Sequence, residues 1–269
     1  MITPQITSGR TKTQGIRKGY VTGTLTFLVL AFLWIPILVL VINSFNASRF
    51  STVWAGFSLQ WYQRLFRDRA IWRSVENTLI VAGVSTIVSV ILGTLAGFVL
   101  YRYQTRTQKV HEQLVTLPLI IPDILMGMSL LLFFLAAGLR LSLVTIILGH
   151  ITFCISYVAI TIRARLQDFD YSVVEAAQDL GASDWIIGYK IYLPLLMPGI
   201  LSGAMLSITL SLDDFIITFF TSGPGSSTLP VHIYSMIRHG SPPVINALST
   251  LFLALTFAAV FGYQRFARK

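Results

Sequence analysis

Three carboxylates stand inside long apolar runs of this 269-residue sequence: Asp123, Asp213 and Asp214. An ionisable group in a membrane-crossing helix costs about 2.5–3.5 kcal/mol on insertion scales, and it turns towards a bundle interior or an aqueous cavity. Only these three of the 11 acidic residues occupy apolar runs, and no basic residue within those runs is available to neutralise them. Uncompensated carboxylates in a low-dielectric cavity suit a cation and disfavour an anion such as sulfate. Asp213 and Asp214 fall about 20 residues into the apolar run Leu193 to Ser222. Successive helical residues point about 100° apart, so the two cannot both face one cavity squarely, and one can cap a helix break. Pro118 and Pro122 kink or delay the helix that carries Asp123, and Gly127 follows one turn later. Such irregular backbone is tolerated beside a cavity. The competing reading of each Asp is structural, protonated or capping.

The other reactive side chains outline no catalytic centre. His111-Glu112 lacks the second His of a zinc-protease motif, and His150 stands in an apolar run where helix packing or hydrogen bonding is its ordinary use. The single cysteine, Cys154, can form neither an internal disulfide nor a Cys-based metal site, and it reads as a small core residue. No phosphate-binding Gly-x-x-x-x-Gly-Lys loop is present: Gly9 and Gly15 are separated by five residues rather than four, and Ile16 follows where Lys is needed. Leu201-Ser202-Gly203 matches the start of an ATPase signature but continues Ala-Met inside an apolar run, a coincidence. Asn46-Ala-Ser48 is a formal glycosylation sequon of a kind that arises by chance.

Composition places these residues in lipid. The chain is 54% apolar and 12% charged, against roughly a quarter charged in soluble domains, which excludes a disordered chain and argues against a water-soluble enzyme. Six runs are long enough to cross a bilayer: Val21 to Asn43, Thr78 to Leu100, Leu114 to Ala137, Leu141 to Ile162, Leu193 to Ser222 and Asn246 to Tyr263. With both termini inside, the inner segments hold 13 Lys and Arg and the outer ones seven, Arg49, Arg64, Arg67, Arg69, Arg73, Arg140 and Arg238. That bias orients the chain, and the net charge of +9 needs no nucleic acid to explain it. Trp54, Trp61, Tyr62, Phe66 and Trp72 of the outer loop 44–77 suit a segment lying at the interface. Gly93 and Gly97 form a Gly-x-x-x-Gly pair that allows close helix approach, within the chain or between chains.

The inner segment Arg163 to Tyr192 carries Asp168, Asp170, Glu175, Asp179 and Asp184. Ser172-Val-Val-Glu175 reads as a capping box, which starts a helix near Val173. Val173, Ala176, Ala177 and Leu180 share one face of it. Gly181 ends it with a left-handed residue, and Ser183 or Asp184 caps a second helix that runs to Pro194. The small-residue face can dock in a groove of another protein or rest on its own bundle or on headgroups.

Glu175-Ala-Ala-Gln-Asp-Leu-Gly181-Ala, followed by Ile191-Tyr-Leu-Pro194, resembles the EAA loop of ABC-transporter permeases. Asn43-Ser-Phe-Asn46, Trp54-Ala-Gly-Phe57, Trp61-Tyr62, Pro122-Asp123, His150-Ile-Thr-Phe-Cys154, Leu210-Ser-Leu-Asp-Asp-Phe215 and Ser222-Gly-Pro-Gly225 extend the likeness over nearly the whole chain. They are similar to the spermidine/putrescine permeases, most of all to the second of their two permease subunits. The resemblance implies an all-α membrane protein of type I ABC importer permease fold, with six spans, both ends cytoplasmic and a cytoplasmic coupling helix. It implies an N-terminal tail over 1–20, a permease domain over 21–263 with its coupling loop at 164–193, and a C-terminal tail over 264–269. Glu175, Ala176, Ala177, Leu180 and Gly181 then couple to an ATPase dimer, which binds ATP in place of any cofactor of this chain. A second homologous permease subunit and an extracytoplasmic binding protein complete the complex, in the plasma (inner) membrane of a prokaryote. Asp123, Asp213 and Asp214 become candidates for the substrate pathway. The rivals are a permease for another small cationic or organic solute, a channel, and a membrane-embedded enzyme using the three Asp residues as acid, base or metal ligands.

Overall fold

The computed structural model describes residues 12–49, 53–103, 106–167, 169–240 and 242–267. Arg10, Asp168, Arg268 and Lys269, counted above, lie outside them. The described residues form helices: α1 (Lys12–Ser44), α2 (Gln60–Arg67), α3 (Arg69–Arg102), α4 (Gln108–Ile120), α5 (Asp123–Ala136), α6 (Leu143–Gln167), α7 (Ser172–Asp179), α8 (Asp184–Ile187), a π turn (Gly188–Tyr192), α9 (Leu193–Asp213), α10 (Ile216–Thr221), α11 (Leu229–Arg238) and α12 (Pro242–Ala267). One isolated antiparallel bridge joins Asn46 and Phe57.

Among the described residues, five helices are long and apolar enough to cross a membrane: Thr22–Ser44, Arg69–Arg102, Leu143–Gln167, Asp184–Asp213 and Pro243–Gly262. The expected third span is broken. α4 and α5 meet at 110°, and together they make a sixth candidate if taken as one. The cause is Pro122, whose ring disfavours the helical conformation for the residue before it. Ile121 is accordingly extended, with φ −70° and ψ 131°. The expected stop at Pro194 is absent. The helix from Asp184 widens into the π turn, whose hydrogen-bond register accommodates the missing N–H of Pro194, and continues through α9.

Residues Met1–Arg67 and Met236–Lys269 make one compact unit, Asp68–Ser235 another. In the first, α1 and α12 pack together, with Trp34 stacked on Phe257 at 6.0 Å. The chain after α1 folds back on α2. Trp61 is buried and donates its Nε1–H to Asn46 O at 2.7 Å. Phe45 stacks on Phe57 at 5.4 Å and meets Tyr62 at a tilt at 5.3 Å. The Asn46 side chain donates to Val53 O and accepts from the amides of Ser48 and Ala55. That buried side chain is a structural tie, which is why the sequon there carries no meaning.

In the second unit α3, α6 and α9 form the core. A Cβ at Gly97 would lie 2.6 Å from Ala159 O, and one at Gly93 would lie 2.7 Å from Val158 Cβ. The Gly-x-x-x-Gly pair therefore serves packing of α3 on α6 within the chain.

Candidate functional site

The Asp68–Ser235 unit encloses a cavity of about 430 Å³, lined among others by Asp123, Asp213, Asp214, Phe153, Tyr157 and Phe215. The three carboxylates found by sequence therefore converge. Asp123 is the first residue of α5, where unpaired N–H groups and the helix dipole favour a negative charge. Asp213 is the last residue of α9, and Asp214 leaves the helix with φ −62° and ψ 125°. The expected division holds: the two do not face the cavity alike, since Asp213 is exposed there while Asp214 sits at the break and caps the start of α10, although both line the cavity.

Their environments differ. Asp123 and Asp213 are exposed at the cavity and make no side-chain hydrogen bond among the described residues. Asp214 is turned inward. Its Oδ1 accepts from Ile217 N at 3.3 Å, and its Oδ2 accepts from Thr218 N at 2.8 Å and Thr218 Oγ1 at 2.9 Å. His150 Nε2 lies 3.2 Å from the same Oδ2. The expectation that no basic residue within the spans meets these carboxylates is thus corrected. His150, fully buried on α6, is a partner of Asp214, and the other two carboxylates stand without one among the described residues. No local pattern announces this contact, because the partners are 61 to 68 residues apart in sequence. Two of the lining rings, Phe153 and Tyr157, are four residues apart on one face of α6. Cys154 is fully buried, as its apolar setting implied.

The Arg163–Tyr192 segment forms a second candidate site. α7 starts where expected, but Ser172 supplies no cap. Asp170 does, accepting Ser172 N–H at 3.0 Å, and that hydrogen bond holds its carboxyl below the ordinary aspartate range. Asp sits two residues ahead of the first amide it can reach, in the usual side-chain-to-backbone turn. Gly181 has φ +79°. Gly181 N–H bonds Gln178 O at 2.8 Å and Ala182 N–H bonds Ala177 O at 3.0 Å, the paired bonds that close a helix with a left-handed glycine. Ser183 is extended ahead of α8 and makes no side-chain cap.

Two buried residues that sequence reasoning missed, Val174 and Ile187, seat this segment. Around it Phe98 meets Tyr192 at 4.9 Å, Phe169 meets Tyr171 at 5.0 Å, and Arg102 lies over the Tyr171 ring at 6.0 Å. With Val174 inward, Val173, Glu175, Ala176 and Leu180 face out and Ala177 is half-buried. Leu180 is 89% exposed and Trp185 82%, on either side of the Gly181 turn. Large apolar side chains this exposed at a rigid turn suit contact with another protein.

Residues 89–269 match the model of the binding-protein-dependent transport system inner membrane components. The chain belongs to that family. It is a membrane component of a transport system and not an enzyme, which removes the acid/base alternative. It is similar to the spermidine/putrescine transport system permease protein PotC of Escherichia coli (strain K12), with 39% identity over 253 residues, 94% of each chain. It is also similar to the putrescine transport system permease protein PotI of the same strain, with 45% identity over 229 residues, 82% of each. Its fold matches that of a bacterial ABC transporter involved in alginate import (TM-score 0.73, 18% identity, 96% of this chain and 99% of the other). It also matches the MetNI methionine ABC transporter (TM-score 0.60, 20% identity, 79% of this chain and 98% of the other). Both likenesses are of fold alone. They place the bent and broken helices within an ABC importer permease architecture.

Proposed function

We propose that the chain is one of two homologous permease subunits of an ATP-driven importer for polyamines, and that Asp123 and Asp213 line the cation path. The observation that carries this reading is the cavity: three carboxylates and three aromatic rings line it, with no Lys or Arg among them. Carboxylates attract ammonium groups, and ring faces attract them too, by about 0.5–2 kcal/mol each. A polyamine presents an ammonium at each end of an aliphatic chain, so it uses both kinds of wall. The relatives' substrates, spermidine and putrescine, have this chemistry. The outer face of α7, with Glu175, Ala176, the half-buried Ala177 and Leu180 before the Gly181 turn, docks on a separate ATPase dimer that holds the ATP. An extracytoplasmic binding protein delivers the solute. Uptake of labelled putrescine by the reconstituted complex, with ATP supplied on the ATPase side, tests the reading. Spermidine should compete, and Asp123→Asn with Asp213→Asn should cut uptake at least tenfold with assembly intact. ATP-driven uptake of a neutral or anionic solute, with no polyamine uptake, refutes it.

A further inference from the structure

We propose that His150 is a positioning residue, a clamp across the helix break that fixes Asp214 as a structural tie and leaves Asp213 to meet the substrate. The inference rests on the reading of Asp213 as part of the cation path.

A carboxylate offers about four acceptor sites. Asp214 has three donors in place, Ile217 N–H on Oδ1 and Thr218 N–H and Oγ1–H on Oδ2, and His150 Nε2 stands 3.2 Å from that Oδ2. An incoming ammonium competes with these protein donors for a carboxylate whose side chain is only 11% exposed. Asp213, next in sequence and exposed to the same cavity, has none among the described residues. The two neighbours have therefore divided the work, one held by the protein and the other left to the solute.

His150 holds that division in place because it grips both sides of the break. Its Nδ1 lies 2.6 Å from Ser211 Oγ, in the last turn of α9. Its Nε2 lies 2.9 Å from Thr218 Oγ1, in α10. Thr218 Oγ1 gives its only hydrogen to Asp214 Oδ2. At Thr218 the ring must therefore donate, which assigns the hydrogen to Nε2. On the other side Ser211 sits 3.3 Å from Ser85 Oγ of α3. The ring is fully buried, so no water replaces these contacts. α3, α6, α9 and α10 meet through this one imidazole, and the chain reverses from helix to extended at Asp214 between its two anchor points.

A ring that merely fills space is replaceable by any side chain of its size. A clamp is replaceable only by one that keeps the Nε2 donor. Gln places an amide nitrogen at the Nε2 position, and Asn reaches only the Nδ1 position. The test uses the full transporter in membrane vesicles with Asp213→Cys and a cationic methanethiosulfonate reagent; Cys154 is buried and out of its reach. The thiol introduced at position 213 should label readily. His150→Gln should slow labelling less than about threefold and His150→Asn by tenfold or more, the spread between keeping and losing a charge-assisted hydrogen bond. In transport kinetics with putrescine, Asp213→Asn should raise KM about tenfold or more. Asp214→Asn should lower the maximal rate with KM within about threefold, since an amide oxygen caps nearly as well as a carboxylate. Equal labelling in all three His150 backgrounds overturns the clamp. So does a KM rise in Asp214→Asn matching that of Asp213→Asn, which decides the matter even where His150→Asn fails to assemble. Putrescine that gives the introduced thiol no protection, with the labelling pattern intact, overturns the polyamine reading and leaves the clamp standing.

Discussion

Gly181 and Gly188 offer a paired experiment on the α7–α8 segment. Neither has any atom within 4 Å of where a Cβ would stand, so substitution at either is free of steric clash. They differ in backbone alone. Gly181 has φ +79°, whereas Gly188 is helical with φ −56° and ψ −51°. Alanine at 181 carries the left-handed penalty of about 1–2 kcal/mol. At 188 it relieves the entropy of a helical glycine, a gain of about 0.5–1 kcal/mol. Only the first acts on the closed turn, lowering its population by about 5- to 30-fold. Valine at 181 costs more, because a β-branched side chain resists positive φ. The strain can be relieved by opening the bonds from Gly181 N–H and Ala182 N–H, which moves Leu180 and leaves the α3–α6–α9 core intact. The expected outcome is normal membrane insertion in all three variants. Amide exchange at Gly181 and Ala182 should be faster in Gly181→Ala and unchanged or slower in Gly188→Ala. Substrate-stimulated ATPase activity of the whole complex should fall in the order Gly188→Ala, Gly181→Ala, Gly181→Val. Full coupling in Gly181→Val at normal expression, or identical behaviour of the two alanine variants, refutes the reasoning.

Gly97→Ala puts a methyl 2.6 Å from Ala159 O, about 0.7 Å inside a close C–H···O contact, between two helix backbones that have little room to yield. It should lower stability by about 1–3 kcal/mol, read as a lower thermal midpoint in detergent, while Gly83→Ala, with open space at its Cβ, should not. Trp61→Phe keeps one aromatic ring but orphans Asn46 O, losing a bond of 2.7 Å and about 1 kcal/mol for that bond besides the packing of the second ring, measurable as faster proteolysis of the 44–67 loop. Asp170 titrates below the ordinary aspartate range because its carboxylate accepts the Ser172 amide. A lowered folded pKa adds stability above the unfolded value, near 3.9, and loses it as pH falls through the folded one. A carboxyl-carbon NMR titration should find its midpoint below that of unfolded Asp, and Ser172→Pro, which lacks the donor, should return it towards the ordinary value.

The long apolar runs were legible because hydropathy over about twenty residues is a one-dimensional signal, and so was the Gly181 turn, whose chemistry lies within a few neighbouring residues. Both breaks in the spans were harder. Pro122 signalled a kink, but not that its effect on Ile121 would turn α4 from α5 by 110°. Pro194 looked like a stop, yet a π turn carries the helix through it, leaving Pro194 in the first turn of α9 where its missing N–H is tolerated. Helix geometry showed that Asp213 and Asp214 would not face one cavity alike and that one could cap a break, as Asp214 does, but not that both would still line one cavity. The His150 contact was not readable, because Ser211 and Thr218 reach it only through the fold.

The π turn has a mechanical consequence. Since it fuses α8 to α9, Asp184–Asp213 is a single shaft of 30 residues, about 45 Å long at 1.5 Å per residue. Trp185 stands near one end and Asp213 at the other. A rigid shaft pivoting by about 5° at its midpoint moves each end by about 2 Å in opposite senses, enough to make or break a hydrogen bond. A tilt at the tryptophan end is thus felt at the carboxylate end to the extent that the π turn and Pro198, the points where this helix can bend, stay straight.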